Sequence, residues 1–159
     1  MRSSTGGWNG PPESDPWWGT KDALQIRQDF EQERRSGDFA SLEKTAHHAA
    51  QLARRRHARL AAVRYLVNEG GAQFAEFRYR TALETLTEAR SLAREIPDPL
   101  DEAAIEVNLS SLYLEMSDRV SALDYAQQAY RRSRGLAHPY FEPHLLLQLG
   151  KLYALNDDS

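Results

Sequence analysis

A repeat of small apolar residues at a fixed interval of 40 constrains this chain more than any other sequence feature. Three stretches share it, and in each the residues lie three, four and seven positions apart. These residues are Leu42, Ala46 and Ala49, then Ala82, Leu86 and Ala89, then Ala122, Ala126 and Ala129. The spacing places them on one helix face, where small side chains let a neighbouring helix approach closely. The pattern therefore predicts stacked copies of one helical unit, with Ala89 and Ala129 buried between helices.

Helix-forming residues dominate from Thr20 onward, and no strand pattern interrupts them. Breaks rich in Gly and Pro fall at 36–38, 97–99 and 135–143, while the boundaries near His57 and Phe77 are less marked. We predict about seven helices, at 20–36, 39–56, 58–75, 78–95, 99–116, 119–135 and 142–155. The predicted fold is all-α, a right-handed α-solenoid of helix-turn-helix repeats with a period of 40.

The first helix of each predicted unit keeps the same register. Leu109-Ser110 followed by Tyr113 recurs 40 residues later as Leu149-Gly150 followed by Tyr153. A Gly or Ser inside a helix costs up to about 1 kcal/mol relative to Ala, so the small residue recurring at Gly70, Ser110 and Gly150 needs a reason. We expect close packing against the partner helix to supply it.

These motifs resemble those of the tetratricopeptide repeat family, which has a Leu-Gly-x-x-Tyr first helix, a Gly-x-Tyr turn and small Ala residues in the second helix. Asn108 to Tyr113 and Leu149 to Tyr153 match the first helix, while Gly37-Asp38-Phe39 and Arg78-Tyr79 match the turn. The departures are Gln73 and Glu69 in place of the tyrosine and the leucine, a shifted Pro97, and a period longer than the usual 34. The resemblance covers about residues 20–159 and implies a scaffold that holds other proteins.

The units are predicted at about 20–57, 58–97, 98–137 and 138–159, the last incomplete. Residues 1–19, rich in Gly and Pro, are predicted to be a disordered or loosely docked arm, whose tryptophans we expect to dock on the chain's own apolar edge. The fourth unit stops after its strongly apolar first helix. We therefore interpret the chain as a fragment of a larger protein rather than as an array ending in a cap.

Charge and composition exclude several classes of protein. The net charge is −3, so no overall positive field draws the chain to nucleic acid or to an acidic membrane. There is no cysteine, signal-peptide pattern or apolar run long enough to span a bilayer. We expect a cytoplasmic protein with no membrane partner.

Four side-chain amides recur at intervals of 40 in the first helices, namely Gln28, Asn68, Asn108 and Gln148. A carboxamide both donates and accepts hydrogen bonds, so such a row on the concave face suits the backbone of a bound peptide. Residues three, four or seven positions away share that face and would set partner preference: Arg64, Ser111, Glu115, His144 and Lys151. The alternative is that the amides record duplication of an ancestral unit, or bond to neighbouring helices.

The only strong charge cluster is the run Arg54-Arg55-Arg56-His57-Ala58-Arg59. No aromatic residue alternates with the arginines, so a solvated helix end is the favoured interpretation. An RNA-binding or regulatory helical array that uses this cluster is the alternative function.

No catalytic, cofactor or metal site is predicted. His47 and His48 are adjacent and point about 100° apart on a helix, and motifs for nucleophilic elbows, phosphate loops and dinucleotides are missing. We therefore predict a protein-binding or peptide-binding scaffold without enzyme activity of its own. The array also resembles the sensor portion of bacterial multidomain proteins such as CHAT-type proteases, which implies a covalently attached effector domain as a further partner.

Overall fold

The computed structural model describes residues 16–97, 99–134 and 141–157, and within these ranges it contains helices and no strand. A short 3-10 helix, Pro16–Gly19, precedes the α-helices. These are α1 Lys21–Ser36, α2 Phe39–Arg55, α3 Arg59–Ala75, α4 Tyr79–Ala93, α5 Pro99–Glu115, α6 Arg119–Ser133 and α7 Phe141–Asp157. Each α-helix packs against the next, which confirms an all-α repeat array. We call α1, α3, α5 and α7 the first helices, and α2, α4 and α6 the second helices.

One turn conformation ends four of the helices. Its central residue has a left-handed backbone with φ between 59° and 71°, at Gly37, His57, Phe77 and Ser117. In each turn the next residue donates its amide N–H to the carbonyl five residues back, at 2.9–3.0 Å. This is the 6→1 bond of a Schellman motif, and it satisfies a carbonyl that the helix end would leave free. Because the turns fall 20 or 40 residues apart, the helices that follow them begin in step at 39, 59, 79 and 119.

The connection before α5 differs from these turns. α5 begins at Pro99, in the same 20-residue step, after Pro97. Proline suits the first position of a helix because its fixed φ is helical and its missing N–H has no partner there. The prolines therefore keep the register that the left-handed turn sets elsewhere.

The repeated small residues form the core. Ala46, Ala49, Ala82, Ala89, Ala122, Ala126 and Ala129 are completely buried. The expected burial of Ala89 and Ala129 is therefore confirmed.

Trp17 docks on the chain's own apolar edge, as we expected for the arm. Its side chain is buried, and its ring meets Tyr65 of α3 edge-on at 6.0 Å between centroids. Tyr65 in turn meets Phe30 of α1 at 5.9 Å. Trp8 and the side chain of Trp18 lie outside the described residues.

The small residue that recurs in the first helices, at positions 70, 110 and 150, was expected to lie where each first helix packs against the following second helix. A Cβ added to Gly70 would lie 2.9 Å from the side chain of Leu86 on α4. Ser110 is buried and donates its hydroxyl to the carbonyl of Ala122 on α6 at 2.6 Å. A Cβ on Gly150 would meet nothing within 4 Å. The expectation of close packing is confirmed at Gly70 and Ser110 but is wrong at Gly150, because no second helix follows α7 in the described residues.

We expect Gly70→Ala and Gly71→Ala to have opposite effects. Both replacements gain up to about 1 kcal/mol of helix propensity, but only the methyl group at position 70 collides with Leu86, and overpacking costs about 1–3 kcal/mol. Gly71 is exposed, and a Cβ there is unobstructed. Denaturant unfolding should show Gly71→Ala more stable than the parent and Gly70→Ala less stable. Equal gains at both positions would show that α3 and α4 are not in close contact.

We expect Ser117→Gly to raise the free energy of unfolding by about 1 kcal/mol, because glycine adopts the left-handed turn conformation without a steric cost. The matched control is Ser91→Gly, at an exposed position inside α4, which should lower it by about 0.5–1 kcal/mol. Chemical denaturation of both variants checks the prediction. A loss of stability in both would contradict the assigned turn.

Candidate functional site

A cavity of about 400 Å³ opens among α1, α2, α3, α4 and α5, and we call it the first-helix cavity. Its apolar wall includes Phe30, Phe39, Leu42, Phe74 and Leu86. The small residues Gly70, Gly71 and Ala72 of α3 leave room for it. Phe39 and Phe74 lie at helix ends beside the left-handed turns at Gly37 and Phe77, whereas Phe30 lies within α1.

Two of the four predicted amides share this cavity. Asn68 of α3 and Asn108 of α5 are half-buried in its wall, together with Ser111. Asn68 donates its side-chain N–H to the backbone carbonyl of Arg64 at 2.9 Å. The interval of 40 thus places equivalent polar groups from successive first helices at one apolar cavity.

The other two amides lie elsewhere. Gln148 of α7 is engaged within the array, because its Nε2 lies 3.0 Å from the hydroxyl of Ser110 and 3.2 Å from that of Ser111. Gln28 is exposed and lines a separate surface depression with Glu31, Gln32 and Arg35. The predicted row of four is therefore a pair at the cavity, a link between helices, and an isolated surface residue.

The residues predicted to surround the amides are dispersed. Ser111 lines the cavity, whereas Arg64 is buried with its Nε 3.5 Å from a carboxylate oxygen of Asp101. Glu115 and Lys151 are exposed, and neither lines the cavity. The side chain of His144 lies outside the described residues. Sequence reasoning also missed the aromatic wall of Phe30, Phe39 and Phe74, although Phe39 stands in the turn motif Gly37-Asp38-Phe39.

The arginine run is largely paired with carboxylates. Arg54 bonds to Glu88 of α4, Arg56 lies 3.8 Å from Asp22 of α1, and Arg59 lies 3.5 Å from Glu95. These are exposed ion pairs, each worth little in stability. They do, however, reduce the local positive charge that an RNA backbone would meet.

Glu69 occupies the leucine position of the repeat and is nearly buried. Its carboxylate oxygen lies 3.0 Å from Nδ1 of His47 on α2, while Nε2 of that ring lies 3.0 Å from the amide nitrogen of Gln51. Because an amide nitrogen only donates, Nε2 accepts and Nδ1 carries the proton given to Glu69. Burial raises the pKa of Glu69, and the hydrogen bond from His47 opposes part of this effect.

A buried ion network joins α4, α5 and α6. Glu106 of α5 is completely buried and accepts from Arg132 at 2.6 Å and from Arg90 at 3.3 Å. Glu102, one turn away, accepts from Arg94 at 3.0 Å. The hydrogen bond to Glu106 holds the pKa of Arg132 above its ordinary value. The guanidinium of Arg90 also lies 5.4 Å from the centre of the Tyr125 ring, so it contacts an aromatic face as well as the carboxylate of Glu106.

Comparison with protein-family models and with curated protein sequences found no match for this chain. Among the described residues, no group of three His, Asp or Glu side chains is arranged to hold a metal ion. None of the described helices combines the length and the apolar character needed to cross a bilayer.

We expect Glu69→Gln to change the pH dependence of stability. The pKa of Glu69 is raised in the folded chain above the ordinary value of 4.5, so between these two values the native state binds more protons than the unfolded state. The free energy of unfolding of the parent should therefore fall as pH rises through that window. Glu69→Gln lacks this contribution, so its stability relative to the parent should increase as pH rises from the ordinary value of 4.5 through the raised pKa of Glu69. Glu115→Gln, at an exposed position, should follow the parent curve. Parallel curves for all three proteins would contradict the raised pKa.

Proposed function

We propose that this protein is a peptide-binding scaffold that holds a segment of a partner protein in the first-helix cavity. The observation that carries the proposal is the meeting of Asn68 and Asn108 at one apolar cavity. The two amides occupy the same position of successive first helices, so a bound chain that crosses α3 and α5 would meet both. The amides would pair with the backbone of the bound segment whatever its sequence.

The cavity wall indicates what the segment carries. A concave, largely apolar site with a few polar groups favours a large apolar side chain, whose burial supplies affinity while the polar groups fix its orientation. Phe39 of α2 and Phe74 of α3 are the aromatic residues of this wall that keep exposed surface. We infer a ligand with one bulky apolar anchor and an adjoining stretch of extended backbone.

The resemblance to tetratricopeptide repeats supports the same role, because that family holds proteins in a groove of its first helices. The proposal also implies that the array is attached to an effector domain and that the protein is cytoplasmic. The alternative of RNA binding has less support, since Arg54, Arg56 and Arg59 are already paired with carboxylates.

Selection from a random peptide library displayed on phage tests the proposal directly. Peptides enriched on the parent protein are measured again on Gly71→Leu, which fills the cavity from an exposed position whose Cβ is unobstructed. We expect the peptides to share a bulky apolar residue and to lose binding to Gly71→Leu. Peptides that bind both proteins equally, or no enrichment at all, would refute the proposed site.

We expect Asn108→Ala to weaken binding of the selected peptides without loss of stability. The variant removes hydrogen bonds worth about 0.5–1.5 kcal/mol each, which is a factor of about 2–10 in affinity, while the helix gains slightly in propensity. Isothermal titration and thermal unfolding on the same samples give both quantities. Gln28→Ala is the matched control, because Gln28 lies outside the cavity. Lost stability with unchanged affinity would make Asn108 a structural residue.

A further inference from the structure

Phe77 combines two unfavourable features at the turn between α3 and α4. Its backbone is left-handed, with φ of 62°, a conformation that crowds the Cβ of any residue but glycine and is an outlier for a bulky side chain. Its side chain is also 78% exposed, so the ring gains little from burial to offset that cost. The other three turns of this kind have Gly37, His57 and Ser117 at the same position. Phe77 is therefore the one of these four turn residues with a large apolar side chain.

The exposure of Phe77 occurs in the middle of the array. Its turn joins α3 to α4, and the helices before and after it, α1, α2, α5 and α6, are present and packed on their neighbours. A single exposed apolar side chain is common on protein surfaces and needs no explanation. A bulky side chain on a left-handed backbone is different, because backbone strain of this kind is found mainly at functional sites.

Phe77 belongs to an aromatic surface that begins in the first-helix cavity. Phe74 lines the cavity, and the centre of its ring lies 5.5 Å from that of Tyr79. The ring of Phe77 meets Tyr79 edge-on, with 6.3 Å between the centres. Phe39, which also lines the cavity, is 42% exposed and stands 40 residues before Tyr79 in the repeat. We call Phe39, Phe74, Phe77 and Tyr79 the aromatic strip.

The charged residues on either side of Phe77 in the sequence are paired within the chain. Arg78 forms one ion pair with Glu43 of α2 and a second, at 3.3 Å, with Glu76. Glu43 also accepts a hydrogen bond from Gln73 of α3 at 3.1 Å. Because these charges already compensate one another, the surface that this turn offers to a ligand is the ring of Phe77.

We propose that the aromatic strip is a second subsite of the peptide site, where Phe77 binds an aromatic side chain of the same partner segment that fills the first-helix cavity. The inference rests on the proposed function and deepens it, because it adds a second required residue to the ligand. Aromatic rings attract one another edge-to-face or offset, so an aromatic ligand residue binds this surface better than an aliphatic one. A glycine at position 77 would relieve the backbone strain but would leave no ring for the ligand.

The geometry of α3 sets the spacing between the two ligand residues. Gly71 lies in the cavity wall, and Phe77 lies six positions later, just beyond the end of α3. The separation is about 9 Å along the helix axis, which an extended segment covers in about three residues. We therefore expect the aromatic residue about three positions from the apolar anchor, where the segment leaves the cavity toward the carboxyl end of α3.

The test measures the selected peptides by isothermal titration on the full chain and on three variants. Phe77→Gly removes the ring and the strain together, so we expect about tenfold weaker binding with an unchanged or higher thermal midpoint. Phe77→Tyr keeps the ring and should bind the peptides as the parent does. Ser117→Gly is the matched control, because it makes the equivalent change in a turn without an aromatic residue and should gain stability at unchanged affinity.

A change in the peptide tests the same contact from the other side. Replacing the aromatic residue of a selected peptide with alanine should weaken its binding to the parent about tenfold. The same replacement should have little effect on binding to Phe77→Gly, because that variant has already lost the contact. Full losses from both changes that simply add together would place the aromatic residue away from Phe77.

The inference and the proposed function can fail separately. If the peptides bind Phe77→Gly as well as the parent but do not bind Gly71→Leu, the second subsite is wrong and the cavity remains the site. No enriched peptide, or equal binding to Gly71→Leu, would refute both.

Two further results would identify a different occupant and overturn the inference. A dimer of the parent that Phe77→Gly converts to a monomer in sedimentation would show that a second copy of this chain covers the aromatic strip. Tighter peptide binding after deletion of residues 2–15 would show that the chain's own amino-terminal segment occupies the site in place of a partner.

Discussion

The left-handed turn at Gly37, His57, Phe77 and Ser117 is the constraint on which the rest of the array depends. It ends α1, α2, α3 and α5 by the same hydrogen bond and starts the next helix two residues later, at 39, 59, 79 and 119. This shared register brings the same positions of successive units opposite one another. The alanine core, the glycine contact and the first-helix cavity are all consequences of that register.

The junction before α5 keeps this register by other means. There the prolines replace the left-handed turn, and the buried carboxylates of Glu102 and Glu106 face arginines from both neighbouring second helices. A buried ion network adds little net stability, because desolvation offsets much of its attraction. It does penalise displacement, since a shift of α5 along its axis would separate the buried carboxylate of Glu106 from Arg132. We infer that the network fixes how the second and third units align.

The periodicity of the sequence predicted the features that depend on spacing along the chain. It did not predict the contacts that depend on how far a side chain reaches. The helix positions, the buried Ala89 and Ala129 and the contact at Gly70 follow from spacing, because a helix turns by a fixed angle per residue. The boundaries at His57 and Phe77 were weakly marked because neither residue is the glycine that usually ends a helix in the left-handed conformation. The repeat of 40 predicted the same role for Asn108 and Gln148. In the structure Asn108 lies at the cavity, whereas the longer side chain of Gln148 reaches Ser110 and Ser111 of α5. That difference depends on neighbours from other units, which spacing along the chain does not contain.

The contact of Ser111 with Gln148 joins the first-helix cavity to α7. Ser111 lines the cavity and bonds to Gln148, which lies between Leu147 and Leu149 on that helix. The Gln148 amide also bonds to the buried hydroxyl of Ser110, which in turn donates to the carbonyl of Ala122 on α6. A displacement of α5 on binding in the cavity would therefore act on the packing of both α6 and α7.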